Sequence, residues 1–361
     1  MTHPIQTCER PNLRIKLTSL CDAAYSRQLD GHGEREPLTD ATRLVAIEGF
    51  PGSGKSTTAQ WLARQWQLGG RACRWFYEQQ SDHPVVGIPM GADYKTWEEY
   101  FAYRRERWLA FAADASTAQP LSIMESALLQ YPVFVMLRRG VATDTIVAFL
   151  LSVADIIRPL APRLVYLKTS DPDRAYRGII ARRGGAALVD TLLPAYETGE
   201  AGEFFRARGL HGLDGLLAYW REHNAICERA IDVLGLDTLI VDPIDRDWPR
   251  RRQAIARFLG LTPRPDRSPS TTELMRYVGH YHVAWKGDIP PVPVGPYGRN
   301  VRADECVVSL ESDRLVINGV LWPDNRLLWK EENIFEAEAW PLEVVFESAA
   351  RGGVGRLSIR R

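Results

Sequence analysis

The chain has 361 residues, of which 45% are hydrophobic and 25% charged, a composition typical of a globular protein and incompatible with global disorder. Lysine and arginine together number 45, and so do aspartate and glutamate, so no net charge would draw the chain to a nucleic acid polymer or an anionic membrane. Single hydrophobic cores stop growing near about 250 to 300 residues, so this length predicts two domains.

Cysteine usage and hydropathy together predict a cytoplasmic protein. The five cysteines show no CxxC pair and no zinc-ligand spacing, which favours reduced thiols over a disulfide framework. No run of about 18 apolar residues is present, and the N-terminus lacks the basic start and apolar core of a signal peptide. We therefore expect no association with a membrane.

Residues 1–42 are predicted to be an irregular arm, and residues 43–260 an α/β domain with a parallel sheet. In the second range, short apolar runs alternate with longer amphipathic stretches, the pattern of strand–helix–strand units. The predicted strands are Leu44–Glu48, Ala72–Glu78, Leu121–Glu125, Arg163–Lys168 and Thr238–Asp242. The predicted helices are Ser56–Trp66, Thr96–Phe111, Thr143–Ile157, Pro172–Arg183, Leu213–Val233 and Trp248–Leu259.

Residues 261–271 are predicted to be a proline-rich linker, because such a composition stiffens a chain but cannot pack into a core. In residues 272–361 the periodicity becomes two, with turn residues between short runs, which predicts a small antiparallel, barrel-like β-domain. Its predicted strands are Cys306–Leu310, Arg314–Asn318, Val320–Leu328, Leu342–Glu347 and Arg356–Ile359.

One motif predicts phosphate binding. Residues 49–56, Gly-Phe-Pro-Gly-Ser-Gly-Lys-Ser, match GxxxxGK[ST] directly after an apolar strand and directly before a helix. Glycines let backbone N–H groups turn around an anion, and the helix N-terminus adds partial positive charge. Lys55 would reach the β- and γ-phosphates of ATP, and the Ser56 hydroxyl would ligate Mg²⁺. The expected nucleotide contacts are Gly49, Pro51, Gly52, Ser53, Gly54, Lys55, Ser56 and Thr57.

The segment from Ile47 to Thr58 resembles the start of thymidylate kinases and their relatives among the P-loop nucleoside and nucleotide kinases. Other features look like a poorly characterised, thymidylate-kinase-like bacterial branch. The resemblance covers about residues 43–260 and implies a three-layer fold with a five-stranded parallel sheet, ATP and Mg²⁺ as cofactors, and phosphoryl transfer.

Two acidic residues take roles through this resemblance. Glu78 sits where deoxynucleoside kinases carry the catalytic base for the substrate hydroxyl. Met124-Glu125-Ser126 looks like a shortened Glu-Arg-Ser motif, in which the acid helps to hold magnesium and its waters. The arginine of that motif is missing from this sequence. Because the carboxyl ends of parallel strands converge on one crevice, both acids are expected beside the phosphate-binding loop.

Cationic and loop residues complete the predicted site. Residues 162–184 are similar to the strand and arginine-bearing lid helix of these kinases, which implies that Arg182 and Arg183 neutralise charge on the transferring phosphoryl group. Asp82 and His83 follow Glu78 on the same rim. Arg104 or Arg105 on the next helix would face a substrate phosphate. The candidate acceptor residues are therefore Glu78, Asp82, His83, Arg104 and Arg105.

The predicted β-domain has a resemblance of its own. Leu274–His282 and the later strands resemble the lipocalin-like β-domain that is appended to some serine β-lactamase-like hydrolases. This resemblance brings no catalytic group, and a role in specificity, dimerisation or docking is expected.

The sequence thus predicts an ATP-dependent kinase whose acceptor is a small molecule, first of all a nucleoside or nucleotide. Two alternatives stay open. The acceptor could be a natural product such as an antibiotic, because the Glu-Arg-Ser arginine is missing and the appended domain is unusual. The chain could instead be a nucleotide-dependent switch or binding protein with slow ATP hydrolysis. A homodimer and the use of GTP also remain open.

Overall fold

The computed structural model describes residues 41–86, 96–117, 120–183, 185–199, 202–241, 247–266, 268–287, 303–321, 324–348 and 354–361. The predicted arm, residues 1–42, lies outside these ranges except for Ala41 and Thr42.

A five-stranded parallel sheet forms the centre of the first part of the chain. Its strands are β1 Leu44–Gly49, β2 Cys73–Phe76, β3 Leu121–Glu125, β4 Arg163–Leu167 and β5 Asp237–Val241. They lie in the order β2-β3-β1-β4-β5, and each neighbouring pair is parallel. The strand order reverses around β1, so the crevice at the carboxyl end of β1 is the place where open α/β sheets bind ligands.

Helices cover both faces of this sheet. They are α1 Lys55–Leu68, α2 Trp97–Thr117, α3 Gln130–Arg138, α4 Thr143–Ile157, α5 Pro172–Arg182, α6 Ala186–Glu197, α7 Glu203–Arg206, α8 Gly212–Leu234 and α9 Trp248–Phe258. Alternate residues of β1 enter different cores, Leu44 and Ala46 on one face and Val45 and Ile47 on the other. The predicted α/β fold is therefore confirmed. None of the helices in the described ranges is long and apolar enough to cross a membrane.

A closed barrel follows, after the short helix α10 Thr271–Leu274. Its strands are β6 Gly279–Lys286, β7 Glu305–Glu311, β8 Arg314–Asn318, β9 Asn325–Glu331, β10 Ile334–Ala337, β11 Glu343–Ser348 and β12 Val354–Arg360. All neighbours are antiparallel except β12 and β6, which are parallel and close the barrel. The predicted barrel-like β-domain is confirmed, whereas its likeness to lipocalins stays a prediction.

One predicted strand of the barrel is wrong. The sequence predicts a strand over Val320–Leu328, but β9 begins only at Asn325. Gly319, Leu321 and Asp324 have φ values of 96°, 59° and 54°, a left-handed backbone that an extended strand cannot adopt. Val320 and Leu321 therefore lie outside the strand that begins at Asn325.

Other boundaries differ because the sequence pattern does not mark the turns and helix starts that decide them. Strand β2 ends at Phe76 rather than Glu78, since Tyr77 starts a turn in which its N–H donates to Gln80 Oε1 at 2.9 Å. Helices α3, α6 and α7 were not predicted. Leu129 at the start of α3 offers no side-chain cap, so the local sequence carries no start signal for that helix.

Candidate functional site

The glycine-rich loop, residues 49–56, is shaped by three glycines with positive φ. Gly49, Gly52 and Gly54 have φ values of 148°, 72° and 96°. A Cβ on Gly49 would lie 2.5 Å from the carbonyl oxygen of Leu167, and one on Gly54 would lie 2.3 Å from a ring carbon of Trp248. Only glycine fits these positions, so the conformation of the loop depends on its glycines.

Lys55 is the first residue of α1 and is buried, with 6% of its surface exposed. Its Nζ donates to the carbonyl oxygen of Phe50 at 3.0 Å. Burial lowers the pKa of Lys55, and the nearby carboxylates of Glu78, Glu125 and Glu48 oppose this shift. Gly54 at the helix N-cap makes no side-chain cap hydrogen bond, which leaves the positive helix end for an anion.

Glu125 ends β3 and is 1% exposed, yet neither of its carboxylate oxygens has a hydrogen bond of normal geometry among the described residues. Burial raises the pKa of Glu125, and the charge of Glu78 raises it further. The Ser56 hydroxyl acts in the opposite direction and favours the ionised form. Ser126, which has φ 61°, also has a buried Oγ without a hydrogen-bond partner in the described part of the chain.

Glu78 lies in the turn after β2 and is half-buried. Burial raises the pKa of Glu78, and Lys55 and the Ser126 side chain lower it. Lys55, Glu78 and Glu125 therefore interact electrostatically with one another, so the fold brings these three predicted residues together.

His83 is 1% exposed, and its hydrogen bonds determine which ring nitrogen carries the proton. Its Nδ1 accepts from the backbone N–H of Val85 at 3.1 Å and of Val86 at 3.0 Å, so the ring proton lies on Nε2. Burial, together with the charges of Arg104 and Arg107, lowers the pKa of His83 to about 3. The neutral Nε2–H is buried without a hydrogen-bond partner among the described residues.

Arg104 is likewise buried, with 3% of its surface exposed. Its guanidinium lies 5.3 Å from the ring centroid of Tyr131, while Nε and Nη2 have no hydrogen-bond partner in the described ranges. Burial raises the pKa of Tyr131, the charge of Arg104 opposes that rise, and the charge of Glu78 adds to it. The charge of Arg104 also adds to the lowering of the His83 pKa that burial causes. Arg104 therefore belongs to the same cluster as Glu78 and His83.

Two predicted acceptor residues lie elsewhere. Asp82 has a half-exposed side chain that pairs with Arg361 at 2.7 Å and with Arg74 at 3.5 Å. Arg105 is exposed on α2. The structure does not bring these two side chains into the cluster around Lys55.

Arg182 and Arg183, the arginines predicted for a lid, lie at the end of α5, and Arg182 lies near the glycine-rich loop. A Cβ on Gly52 would lie 3.8 Å from Nη2 of Arg182. The positive charge of Arg183 adds to the lowering of the Lys55 pKa that burial causes. It opposes the rise that burial causes in the pKa of Tyr77. Arg182 is exposed and Arg183 is half-buried.

Glu48 was missed as a site residue, although it ends an apolar strand in the same way as Glu125. It is fully buried, and its carboxylate accepts from the backbone N–H of Leu128 at 2.7 Å and of Gln130 at 3.0 Å. Burial raises the pKa of Glu48 to about 7 against these hydrogen bonds. The residue thereby ties β1 to the segment that follows Glu125.

Tyr131 and Trp248 were also missed. Their local sequence gives no signal of a site role. Tyr131 lies in a helix that was not predicted, and Trp248 begins a helix that was predicted only as an amphipathic segment. Trp248 packs against Gly54, so it forms one wall of the glycine-rich loop.

Comparisons with known proteins give two partial similarities. No protein-family model matches the chain. A cytidylate kinase from Pyrobaculum aerophilum is 28% identical over 173 residues, which cover 47% of this chain and 76% of that kinase. A solved structure of deoxyadenosine kinase from M. mycoides with bound dATP matches 60% of this chain and 99% of its own, with 18% identity and a TM-score of 0.34. Over about half of its length, the chain is therefore similar in sequence to a nucleotide kinase.

Proposed function

We propose that this chain is an ATP-dependent phosphotransferase that moves the γ-phosphate to a small acceptor of the nucleoside or nucleotide class. The observation that carries this proposal is the buried cluster of Lys55, Glu78 and Glu125 at the end of a glycine-rich loop. Phosphoryl transfer needs held phosphates, cations for the developing charge and a group that takes up a proton, and this cluster offers each of them.

The donor half of the reaction rests on the loop and the lid. Backbone amides of residues 49–56 would surround the phosphates, and Lys55 would exchange its contact with the carbonyl oxygen of Phe50 for the β- and γ-phosphates. Arg182 and Arg183 would neutralise negative charge that builds up on the transferring group.

The residues present fit Mg²⁺. Two unpaired carboxylate oxygens of Glu125 are costly to bury, and a hard cation with oxygen ligands would offset that cost. Glu125 and the Ser56 hydroxyl would hold the ion, directly or through water. When bound, it would neutralise charge between the β- and γ-phosphates.

The acceptor half rests on Glu78, His83 and Arg104. An acceptor hydroxyl would attack the γ-phosphorus while its proton passes to the carboxylate of Glu78 and the bond to the β-phosphate oxygen breaks, releasing ADP. The raised pKa of Glu78 makes this carboxylate a better proton acceptor. The unpartnered Nε2–H of His83 and two unpartnered N–H groups of Arg104 would orient the acceptor through its oxygen atoms.

A second candidate acceptor class is a hydroxyl-bearing natural product. This class is favoured because Ser126 follows Glu125 directly, where the Glu-Arg-Ser motif would have an arginine. The guanidinium nearest the cluster belongs instead to Arg104 on α2, so the acceptor could be contacted differently from a nucleoside or nucleotide.

An acceptor screen tests the proposal. Consumption of ATP, and separately of GTP, would be measured with Mg²⁺ and panels of nucleosides, deoxynucleosides, their 5′-monophosphates and aminoglycosides. We expect one nucleoside or nucleotide panel to accelerate ATP consumption by about 100-fold or more, since positioning dominates this chemistry. Acceleration by aminoglycosides alone would select the second candidate. If every panel leaves ATP consumption at the level of Lys55→Ala, the kinase assignment is wrong, and a switch or binding protein becomes the better description.

A further inference from the structure

The core of the barrel extends into the α/β part of the chain through Tyr77. This side chain is 6% exposed and belongs to the barrel's hydrophobic cluster rather than to either core of the sheet. Its ring centroid lies 5.7 Å from that of Trp340, and Trp75 packs against the same cluster. Tyr77 immediately precedes Glu78, so the barrel contacts the turn that carries the proposed base.

The barrel segment that ends at Trp340 also contacts α1, the helix that begins with Lys55. Gln60 Nε2 donates to the carbonyl oxygen of Ala337 at 3.0 Å, and Gln60 Oε1 accepts from the N–H of Ala339 at 2.7 Å. Gln60 is 4% exposed, so these hydrogen bonds are buried. The segment from Ala337 to Trp340 thus joins the nucleotide-side helix to the acceptor-side turn.

A second barrel contact holds the other end of that turn. Arg361 donates to Asp82 Oδ1 at 2.7 Å, and Gln80 Nε2 donates to the same oxygen at 3.0 Å. Gln80 Oε1 in turn accepts from the N–H of Tyr77. These contacts connect Arg361 to the whole turn, residues 77–83, which has His83 at its end.

We propose that the barrel acts as a clamp that fixes the 77–83 turn against α1, with Trp340 and Arg361 as positioning residues for Glu78 and His83. The inference rests on the proposed function, because it assigns the clamp to the acceptor half of that site. Trp340 is 1% exposed and holds the start of the turn, whereas Arg361 forms a half-exposed ion pair at its end. Loss of Trp340 should therefore have the larger effect.

Amide hydrogen exchange of the protein without ligand tests the clamp. In Arg361→Ala, we expect exchange in peptides covering residues 77–86 to accelerate about two- to fivefold, the size expected for losing a half-exposed ion pair. Arg360→Ala is the matched control, because Arg360 pairs with Glu343 within the barrel at 2.9 Å. Arg361→Lys should restore most of the protection. Unchanged exchange in Arg361→Ala, or an equal change in Arg360→Ala, would overturn the proposal.

Affinity for ADP separates positioning from general destabilisation. Calorimetric ADP affinity of Arg361→Ala should equal that of the unmodified chain, since the glycine-rich loop does not contact Arg361. If ADP affinity falls together with the protection of residues 77–86, the clamp is refuted in favour of a merely structural role.

Trp340→Phe and Trp340→Ala test the contact between Trp340 and Tyr77, because the first variant keeps an aromatic ring and the second removes it. With the acceptor that the screen identifies, Trp340→Phe should keep the KM for the acceptor within about twofold, and Trp340→Ala should raise it about tenfold at an unchanged KM for ATP. Equal KM values for the acceptor in both variants would count against the clamp. If no acceptor is found, the proposed function fails, whereas the exchange experiment still decides whether the barrel orders this turn.

Discussion

At the scale of single residues, the site is defined by buried ionisable groups whose partners are incomplete. Lys55 and Glu125 are both almost fully buried, and Glu125 has no normal hydrogen bond among the described residues. Burying such groups costs several kcal/mol unless they are paired, and the effect is visible in the raised pKa of Glu125 and the lowered pKa of Lys55. A ligand that supplies both a cation and phosphate oxygens would offset both costs.

Replacing Lys55 separates binding from folding. In Lys55→Ala we expect ADP affinity, measured by calorimetry, to fall about 10- to 100-fold, because a hydrogen bond to a charged group is worth about 1.5–3 kcal/mol. Lys55 donates to the carbonyl oxygen of Phe50 and lies near three carboxylates, so the unfolding midpoint is measured alongside to separate a loss of binding from a loss of stability. Lys286→Ala, which removes an exposed lysine of the barrel, is the control. Undiminished ADP affinity in Lys55→Ala would refute the role of this residue.

Replacing Glu125 should move stability and turnover in opposite directions. Glu125→Gln removes a buried carboxyl group whose ionised form burial disfavours more than Lys55 and Ser56 stabilise it, so the free energy of unfolding without ligand should rise by about 1 kcal/mol. Mg²⁺-dependent turnover should fall about 100-fold or more, because the amide is a poor metal ligand. Glu347→Gln, at an exposed carboxylate paired with Lys286, should change neither quantity. A Glu125→Gln variant that keeps full turnover would exclude metal binding by this residue.

At the scale of elements, Glu48 decides where α3 begins. The helix has no side-chain cap of its own, and the carboxylate of Glu48 accepts from Leu128 and Gln130, the latter 82 positions away in sequence. The N–H of Ser126 donates to the carbonyl oxygen of Ile47 at 3.0 Å, which adds a second contact between the two segments. The position of Glu125 therefore depends on β1 as well as on its own strand.

The burial of Glu48, which raises its pKa against these hydrogen bonds, predicts a pH-dependent stability. The pKa of Glu48 is about 7 in the folded chain and about 4.5 in its usual range, so the folded state binds more protons between these values. The stabilisation is complete below pH about 4.5 and is lost as the pH rises towards 7, by an amount on the order of 3 kcal/mol. We expect the unfolding free energy of the unmodified chain, relative to Glu48→Gln, to fall between pH 5 and 7.5 in urea titrations. A difference that does not vary with pH would contradict this account.

At the scale of the whole molecule, α1 connects the sheet, the linker and the barrel. Gln60 and Arg64 contact the barrel, with Arg64 donating to Glu336 Oε2 at 2.8 Å and to the carbonyl oxygen of Trp329 at 3.1 Å. Gln65 on the same helix instead bonds the backbone of Arg264 in the predicted linker. The barrel is therefore attached to α1, the helix that begins at the end of the glycine-rich loop.

These contacts predict coupled unfolding. We expect a single calorimetric transition for the unmodified chain, and in the double variant Gln60→Ala/Arg64→Ala a broader or split transition, because buried hydrogen bonds between the two parts are lost. Gln65→Ala is the matched control on the same helix and should lower the midpoint without splitting the transition. A single sharp transition in the double variant would show that the two parts do not depend on these contacts for cooperativity.

Part of the site could be predicted from the sequence because its signals are local. The glycines of the loop have positive φ, the strands of the sheet are continuous apolar runs, and Glu125 ends one of them. Glu78 was expected at a strand end and lies in a turn instead, since Gln80 captures the N–H of Tyr77. The sequence predicted either Arg104 or Arg105 as the residue that faces the substrate phosphate. Only packing in the tertiary structure shows that Arg104 is buried and Arg105 exposed.

By itself, the sequence determined the glycine-rich loop, the parallel sheet and the change to a β-domain, because steric limits of glycine and the periodicity of apolar residues act within a few positions. Only the tertiary structure decided which buried polar groups meet and that the barrel core includes Tyr77. Such partners are chosen by packing between distant segments, as in the hydrogen bond from Gln60 to Ala337 across 277 positions, and no local pattern encodes them.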